Sequence, residues 1–337
     1  GDGTNHLSIT GKEYFDIFPV MDFQKIPGAT ILQKERLPDP DQIQKPGYTN
    51  FVGAVTDDLY GSVAFDFISP HDPLKARKSW FFFDNEYVCL GAGINAKGKQ
   101  AVFTTLNQLL LQGEVHAKVG QEPKILERGK HELKDLDWIY HDRVGYFMLA
   151  PQEIELSFGE ITGNWTTINQ QTRAPQEDVT KEVFSLWVNH GNNVRQESYA
   201  YMILPNANLE ETKAYRVDDQ IEILANTPEL QAVRHKQLLQ VQANFYQAGK
   251  LDLGDGLELT MDGPGLVLLH LDGQNIVKMA VSDPSRKLNK MHFQLNSKLN
   301  LQGTQHRVAW DAEHWISKVT VQLPEGEFAG SSVILGD

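Results

Sequence analysis

Lys78-Ser79-Trp80-Phe81-Phe82-Phe83-Asp84, followed by Leu90-Gly91-Ala92-Gly93-Ile94, is the stretch that decides the fold. Four aromatics in a row leave no polar face. A strand sends successive side chains to opposite sides, so Trp80 and Phe82 point one way and Phe81 and Phe83 the other. Both faces then need cover, as in a central strand of a thick antiparallel sandwich. The run is short, aromatic and closed by Asp84-Asn85-Glu86, which favours a strand and turn over a buried helix. Tyr87-Val88-Cys89-Leu90 returns as the second strand. All four aromatics are expected to be largely buried, and Phe82→Ala is expected to cost roughly 3–5 kcal/mol, the usual range for a core Phe.

Short apolar runs with turns between them continue in both directions. Upstream lie Leu7–Ile9, Ile17–Met21, Phe51–Val55 and Tyr60–Phe67. Between them, residues 36–50 hold Pro38, Pro40, Pro46 and Gly47 amid charges and read as a long exposed loop. Downstream come Ala101–Thr105, 137–140, 144–149, 154–160, 182–190, 198–204 and 220–224. Thr227-Pro228-Glu229 suits the start of a short helical turn. The pattern resets around Gln240–Lys250, and a new series of short strands fills 256–322. The expectation is all-β: a large antiparallel β supersandwich over 1–245 and a smaller antiparallel β-sandwich domain over 246–337. A chain of 337 residues fits two cores better than one.

Composition narrows the function. The net charge is −13, which repels nucleic acid and anionic lipid at long range. No apolar run approaches the ~20 residues of a membrane helix. Anionic polysaccharide is repelled too unless basic groups cluster; Lys75, Arg77 and Lys78, then Lys97 and Lys99, are the local clusters. The single cysteine, Cys89, excludes an internal disulfide and reads as a small core residue. The chain starts Gly1-Asp2-Gly3 without Met or signal peptide, which reads as a processed or excised piece.

Eleven histidines form no His-Glu-x-x-His or other compact ligand spacing. His141-Asp142-Arg143 and His190-Gly191-Asn192 read as turn and hydrogen-bond groups. There is no Gly-x-Ser-x-Gly elbow and no phosphate loop. Glu153 and Glu155 share a strand face and are expected to meet solvent. Asn164-Trp165-Thr166 is a glycosylation sequon by pattern alone. The residues alone give a large β protein without a catalytic set.

Six segments, in order, carry a family resemblance. Lys25-Ile26-Pro27-Gly28-Ala29-Thr30 resembles the W-x-x-(L/I)-P-G-T-T stretch of polysaccharide lyase family 8, with Phe23 in place of Trp and Ala29 in place of Thr. Phe51-Val52-Gly53-Ala54-Val55 with Tyr60-Gly61 is similar to its F-V-G-G-V hairpin. Lys78–Asp84 with Leu90–Ile94 is similar to its core. Trp138–Asp142 with Gly145-Tyr146, then His190-Gly191, Tyr199-Ala200-Tyr201 and Leu204-Pro205, and finally Gln231–His235, complete the series. The family holds chondroitin, hyaluronate and xanthan lyases. The resemblance implies an α/α toroid before the supersandwich, with β-elimination beside a uronate carboxyl as the chemistry. It implies that the Asn, His, Tyr, Arg and Glu of that chemistry precede this chain, so no catalytic residue is carried over. It also implies a secreted or periplasmic protein whose partners are an acidic polysaccharide and the missing toroid, not nucleic acid or membrane. No cofactor is expected; the sequence is silent on a structural calcium ion. Tyr48, Phe51 and Arg77 are the candidates for the wall of the substrate cleft. The alternatives are a stand-alone carbohydrate-binding module and a purely structural module without lyase activity.

Overall fold

The computed structural model describes residues 3–37, 46–169 and 171–336. Pro38, Pro40, Gly1 and Asp2 lie outside the described residues. The chain is 51% strand and 6% helix, and the strands form antiparallel sheets throughout. It divides into two compact units. The first takes residues 1–46, 69–74 and 94–215, the second 47–68, 75–93 and 216–337.

In the first unit a five-stranded sheet runs in the order Thr30–Leu32, Ala101–Leu110, Asp178–Asn192, Ile154–Asn164, Gly129–Leu133. Its longest pairing joins Ile154–Asn164 to Asp178–Asn192, from Asn164↔Asp178 to Ile154↔Val188. A second run orders Glu197–Pro205, Val144–Met148, Leu136–His141, His116–Val119 and Glu122–Ile125. Between them sit Leu106, Ile139, Tyr146, Phe184 and Tyr201, all fully buried. Burial favours partnered polar atoms, and a chain of such bonds runs through this core. Asn107 Nδ2 donates to the Tyr146 hydroxyl at 2.9 Å, and the Tyr14 hydroxyl donates to Asn107 Oδ1 at 2.9 Å.

The second unit holds a six-stranded sheet, Ile221–Asn226, Leu230–His235, Gln240–Phe245, Gly265–Asp272, Asn275–Ser282, Val333–Leu335. A five-stranded sheet, Gly249–Asp252, Glu258–Met261, Lys290–Leu295, Ile316–Gln322, His306–Asp311, packs on one face of it. Phe245, Leu259, Met279, Phe293 and Val321 are among the residues that close that core. The other face meets the run Val52–Thr56, Gly61–Ile68, Lys75–Phe82 and Tyr87–Asn95. There buried amides sit beside an apolar cluster that includes Val55, Ala64, Leu266 and Leu268. Asn244 Oδ1 accepts from Ser62 Oγ at 2.8 Å, Gln231 Oε1 from Ser79 Oγ at 2.6 Å, and Gln242 Nε2 donates to the Phe82 carbonyl at 3.0 Å.

Those amides lie next to the expected boundary near 245. Gln240, Gln242 and Asn244 alternate like a solvent-facing strand edge, yet every residue of Gln240–Phe245 is buried. The strand pairs on both sides, with Leu230–His235 and Gly265–Asp272. Residue 245 falls inside the second unit, and the last of the chain's passages between the units is at 215–216.

Smaller expectations also shift. No strand forms at Leu7–Ile9, and Ile17–Met21 holds a 3₁₀ turn, Phe18–Val20, begun by Pro19. Residues 227–229 are the bend of a hairpin rather than a helical turn. The unexpected helix is Leu209–Ala214. Its signal was present: Asn208 and Glu211 form a reciprocal capping box.

Of the four core aromatics, Trp80 is 6% and Phe81 0% exposed, but Phe82 is 42% exposed and Phe83 is half-buried. Register gives the reason. Phe82 ends its strand and lies opposite Gly61, which offers no side chain to cover it. Its ring stacks only on Tyr87, at 5.6 Å between centroids.

Candidate functional site

The three expected wall residues belong to the second unit, and two of them meet around Tyr246. The Phe51 ring, 8% exposed, lies 5.3 Å from the Tyr246 ring. The Arg77 guanidinium sits 4.7 Å from that ring's centroid. Arg77 Nε donates to Asp66 Oδ1 at 2.8 Å and an Arg77 Nη to the Pro228 carbonyl at 2.6 Å. Burial raises the Tyr246 hydroxyl's pKa, opposed by Ser79 and Arg77. That hydroxyl donates to the Lys78 carbonyl at 2.7 Å. Two neighbouring strands make this cluster, because Asp66 and Arg77 are directly paired in the Gly61–Ile68 and Lys75–Phe82 register.

Tyr48 stands apart from that core, 60% exposed. The loop that carries it is pinned one residue later, where Thr49 Oγ1 donates to the Asp66 carbonyl at 2.5 Å. Asp66 N in turn donates to the Phe51 carbonyl at 2.9 Å. Arg77 and Phe51 thus brace Asp66 and the base of the loop, while Tyr48 presents an open aromatic ring.

The basic clusters read from sequence do not form as read. Lys78 is wholly buried, with its ammonium 5.3 Å over the Trp80 ring. Lys75 is exposed on the same strand. Lys97 and Lys99 are exposed in the turn after Asn95.

In the first unit, a cleft of about 560 Å³ lies between 134–137 and 148–153. Asp135, Asp137 and Glu153 line it with Lys134, and Asp137 is paired with Lys118 at 2.7 Å. Three carboxylates against one lysine make this cleft unfavourable for an anionic sugar chain. Glu153 is exposed and Glu155 half-buried, accepting from Asn189 Nδ2 at 2.5 Å. Among the described residues, no group of three or more His, Cys, Asp or Glu side chains is placed to hold a metal.

The two histidine segments are structural, as their turn character suggests. Asp142 and Arg143 form the left-handed turn after His141, with φ of 42° and 65°. His141 is fully buried, stacked on Phe184 at 4.4 Å, and its Nε2 accepts the Gln112 amide at 3.0 Å. Burial lowers its pKa from the ordinary 6.5 to about 4, against the opposing Gln112 bond. Burial does the same to His190, also to about 4. His190 Nε2 lies 2.9 Å from Thr104 Oγ1.

This sets an acid limb. Between about pH 4 and 6.5 the unfolded chain binds protons at these histidines and the folded chain does not, so stability falls as pH drops through that window. His141 alone should contribute on the order of 3 kcal/mol of loss by pH 4. Urea midpoints measured from pH 7 to 4.5 should fall, and His141→Phe should flatten the slope while His190 keeps part of it. An equal slope in parent and variant would contradict this assignment.

With this geometry in place, the comparisons with known proteins fall into register. The polysaccharide lyase family 8 super-sandwich domain matches residues 1–216, and the family's C-terminal beta-sandwich domain matches 222–292. The chain belongs to polysaccharide lyase family 8. Chondroitinase-AC of Pedobacter heparinus is 36% identical over 342 residues, covering 99% of this chain and 45% of that protein. A hyaluronate lyase of Thermasporomyces composti is 30% identical, covering 80% of this chain and 34% of that protein. A solved chondroitinase AC lyase, studied as oligosaccharide complexes, superposes with a TM-score of 0.85 at 36% identity, over 99% of this chain and 47% of that one. Paenibacillus xanthan lyase shares the fold, with a TM-score of 0.85 at 24% identity over 99% of this chain and 33% of that one. The chain therefore spans less than half the length of these relatives.

Proposed function

We propose that this chain is the β-sandwich portion of a lyase that cleaves an acidic polysaccharide, such as chondroitin sulfate or hyaluronan, by β-elimination. The observation that carries this reading is a match over nearly the whole chain to a lyase of which the chain is less than half. β-Elimination needs a base within hydrogen-bond reach of the uronate proton and a neutralising group at the carboxyl. The strands described above bring no such pair together, so those groups are assigned to an α/α toroid outside these residues. This portion then supplies one wall of the substrate cleft. Tyr48 is the wall residue in contact with sugar; Phe51 and Arg77 hold its loop through Asp66. A polymeric substrate outside the cell places the protein in the secreted or periplasmic space.

The test uses the full-length gene product. Incubation with chondroitin sulfate, hyaluronan and xanthan should raise the far-ultraviolet absorbance of an unsaturated uronate for at least one of them. Tyr48→Ala should lower kcat/KM about tenfold, or about 1.4 kcal/mol, mainly through KM. No product from any acidic polysaccharide would overturn the lyase reading; an unchanged KM in the variant would remove Tyr48 from the wall.

A further inference from the structure

The five-stranded sheet of the second unit ends in a hairpin between His306–Asp311 and Ile316–Gln322. Its turn places Trp315 at φ 54° with 69% of its surface exposed. That conformation normally takes Gly or Asn, because a Cβ crowds the following carbonyl. The indole adds nothing to the core. It leans edge-on against Trp310, 5.7 Å between centroids and 89° between planes. A large aromatic held in a strained turn and shown to solvent is the pattern of a contact residue.

The solvent face of the same sheet carries basic side chains next to that turn, and the turn itself carries the exposed carboxylate of Glu313. Arg307 lies opposite Thr320, and Lys318 opposite Ala309, which puts Arg307 and Lys318 on a diagonal about 7–8 Å apart. Lys290 faces the same way, opposite Gln322. Among the described residues neither Arg307 nor Lys290 has an ion-pair partner. Asp311 lies at the turn, where it holds Lys318 at 3.2 Å and His314 at 3.1 Å. Glu258 holds Lys250 on the far side of the sheet, and Asp262 follows the next strand beyond His292. His292 Nδ1 is 3.1 Å from Thr320 Oγ1.

We propose that this hairpin is an accessory binding site for an anionic polysaccharide. The apolar face of a sugar ring stacks on Trp315, and its carboxylates or sulfates reach Lys318, Arg307 and Lys290. The chemistry of the occupant follows from Arg307, Lys318 and Lys290, which outnumber Asp311 and Glu313 there, in a chain whose net charge is −13. The proposal rests on the lyase reading for its choice of polymer, but it uses no residue of the cleft wall.

Affinity electrophoresis of the 337-residue chain tests it, in native gels containing chondroitin sulfate, hyaluronan or xanthan, with neutral dextran as control. Retardation is expected in at least one anionic gel and not in dextran. Trp315→Gly should weaken it at least tenfold without lowering Tm, since Gly suits the turn. Arg307→Gln with Lys318→Gln should weaken it and reduce its salt dependence. The proposal is overturned by absence of retardation in every anionic gel, or by parent-like retardation of both variants. Trp315→Gly in the full-length protein should leave turnover of short soluble oligosaccharides at the parent rate. A failed gel experiment therefore leaves the lyase reading standing, and a missing unsaturated product would sink that reading without touching the gel result.

Discussion

Phe81→Ala is expected to lower the unfolding free energy by about 3–5 kcal/mol, and Phe82→Ala by only about 1 kcal/mol. The two residues are adjacent, equal in volume and opposite in environment. Phe81 is 0% exposed, opposite Ser62 in the Gly61–Ile68 strand. Removing its ring leaves a cavity that close-packed neighbours fill only in part, so both transfer and cavity terms apply. Phe82 is 42% exposed and loses mainly its stack on Tyr87, a pair contact of about 0.5–1.5 kcal/mol. The backbone bond from Gln242 to the Phe82 carbonyl survives in Phe82→Ala, because it does not involve the ring. Urea midpoints of the two variants should differ by more than the error of either. Equal midpoints would mean that the strand's register is wrong by one residue, since a one-residue slip exchanges the faces.

The strand and its turn were legible because four aromatics in a row admit few structures. Which ring would be exposed was not legible, because that depends on a glycine far upstream, Gly61, arriving opposite Phe82. The same kind of ambiguity holds at Gln240–Phe245. An alternation of Gln and Asn with apolar residues signals a solvent face in a lone strand. In Gln240–Phe245 the amides are buried against serines and carbonyls of another strand run, which only tertiary structure supplies. The basic run Lys75–Lys78 misled for a related reason. Alternation sends Lys78 inward, and the ammonium settles over Trp80. The exposed base of the Lys290, Arg307 and Lys318 face was invisible because its members come from three strands spread along the sequence.

The wall candidates were legible only as residue types beside a loop. Exposed Tyr48 carries the character expected of a sugar contact. Phe51 and Arg77 are drawn into packing around Tyr246, where a guanidinium over an aromatic ring and an ion pair to Asp66 use its donors. The family, by contrast, was readable from ordered short motifs, and matches over residues 1–216 and 222–292 bear it out.

The largest expected effect concerns turnover. A positioned general base and a preorganised charge-stabilising group each contribute factors of about 10² or more, and together they separate a catalysed elimination from the background. The cleft at 134–153 presents three carboxylates to one lysine, Lys134, a balance that disfavours the enolate-like charge that builds on a uronate. His141 is buried in the sandwich, stacked on Phe184, and His190 is half-buried beside Thr104; both are placed to hold structure rather than substrate. The 337-residue chain on its own is therefore expected to show no elimination at all, however well it binds polymer. The direct measurement is the far-ultraviolet absorbance of unsaturated uronate after prolonged incubation of the purified 337-residue chain with chondroitin sulfate, hyaluronan and xanthan, beside the full-length protein at equal concentration. The account predicts product from the full-length protein and a trace at the no-enzyme blank from the chain; product from the chain above that blank would contradict it and place a complete catalytic site among these strands.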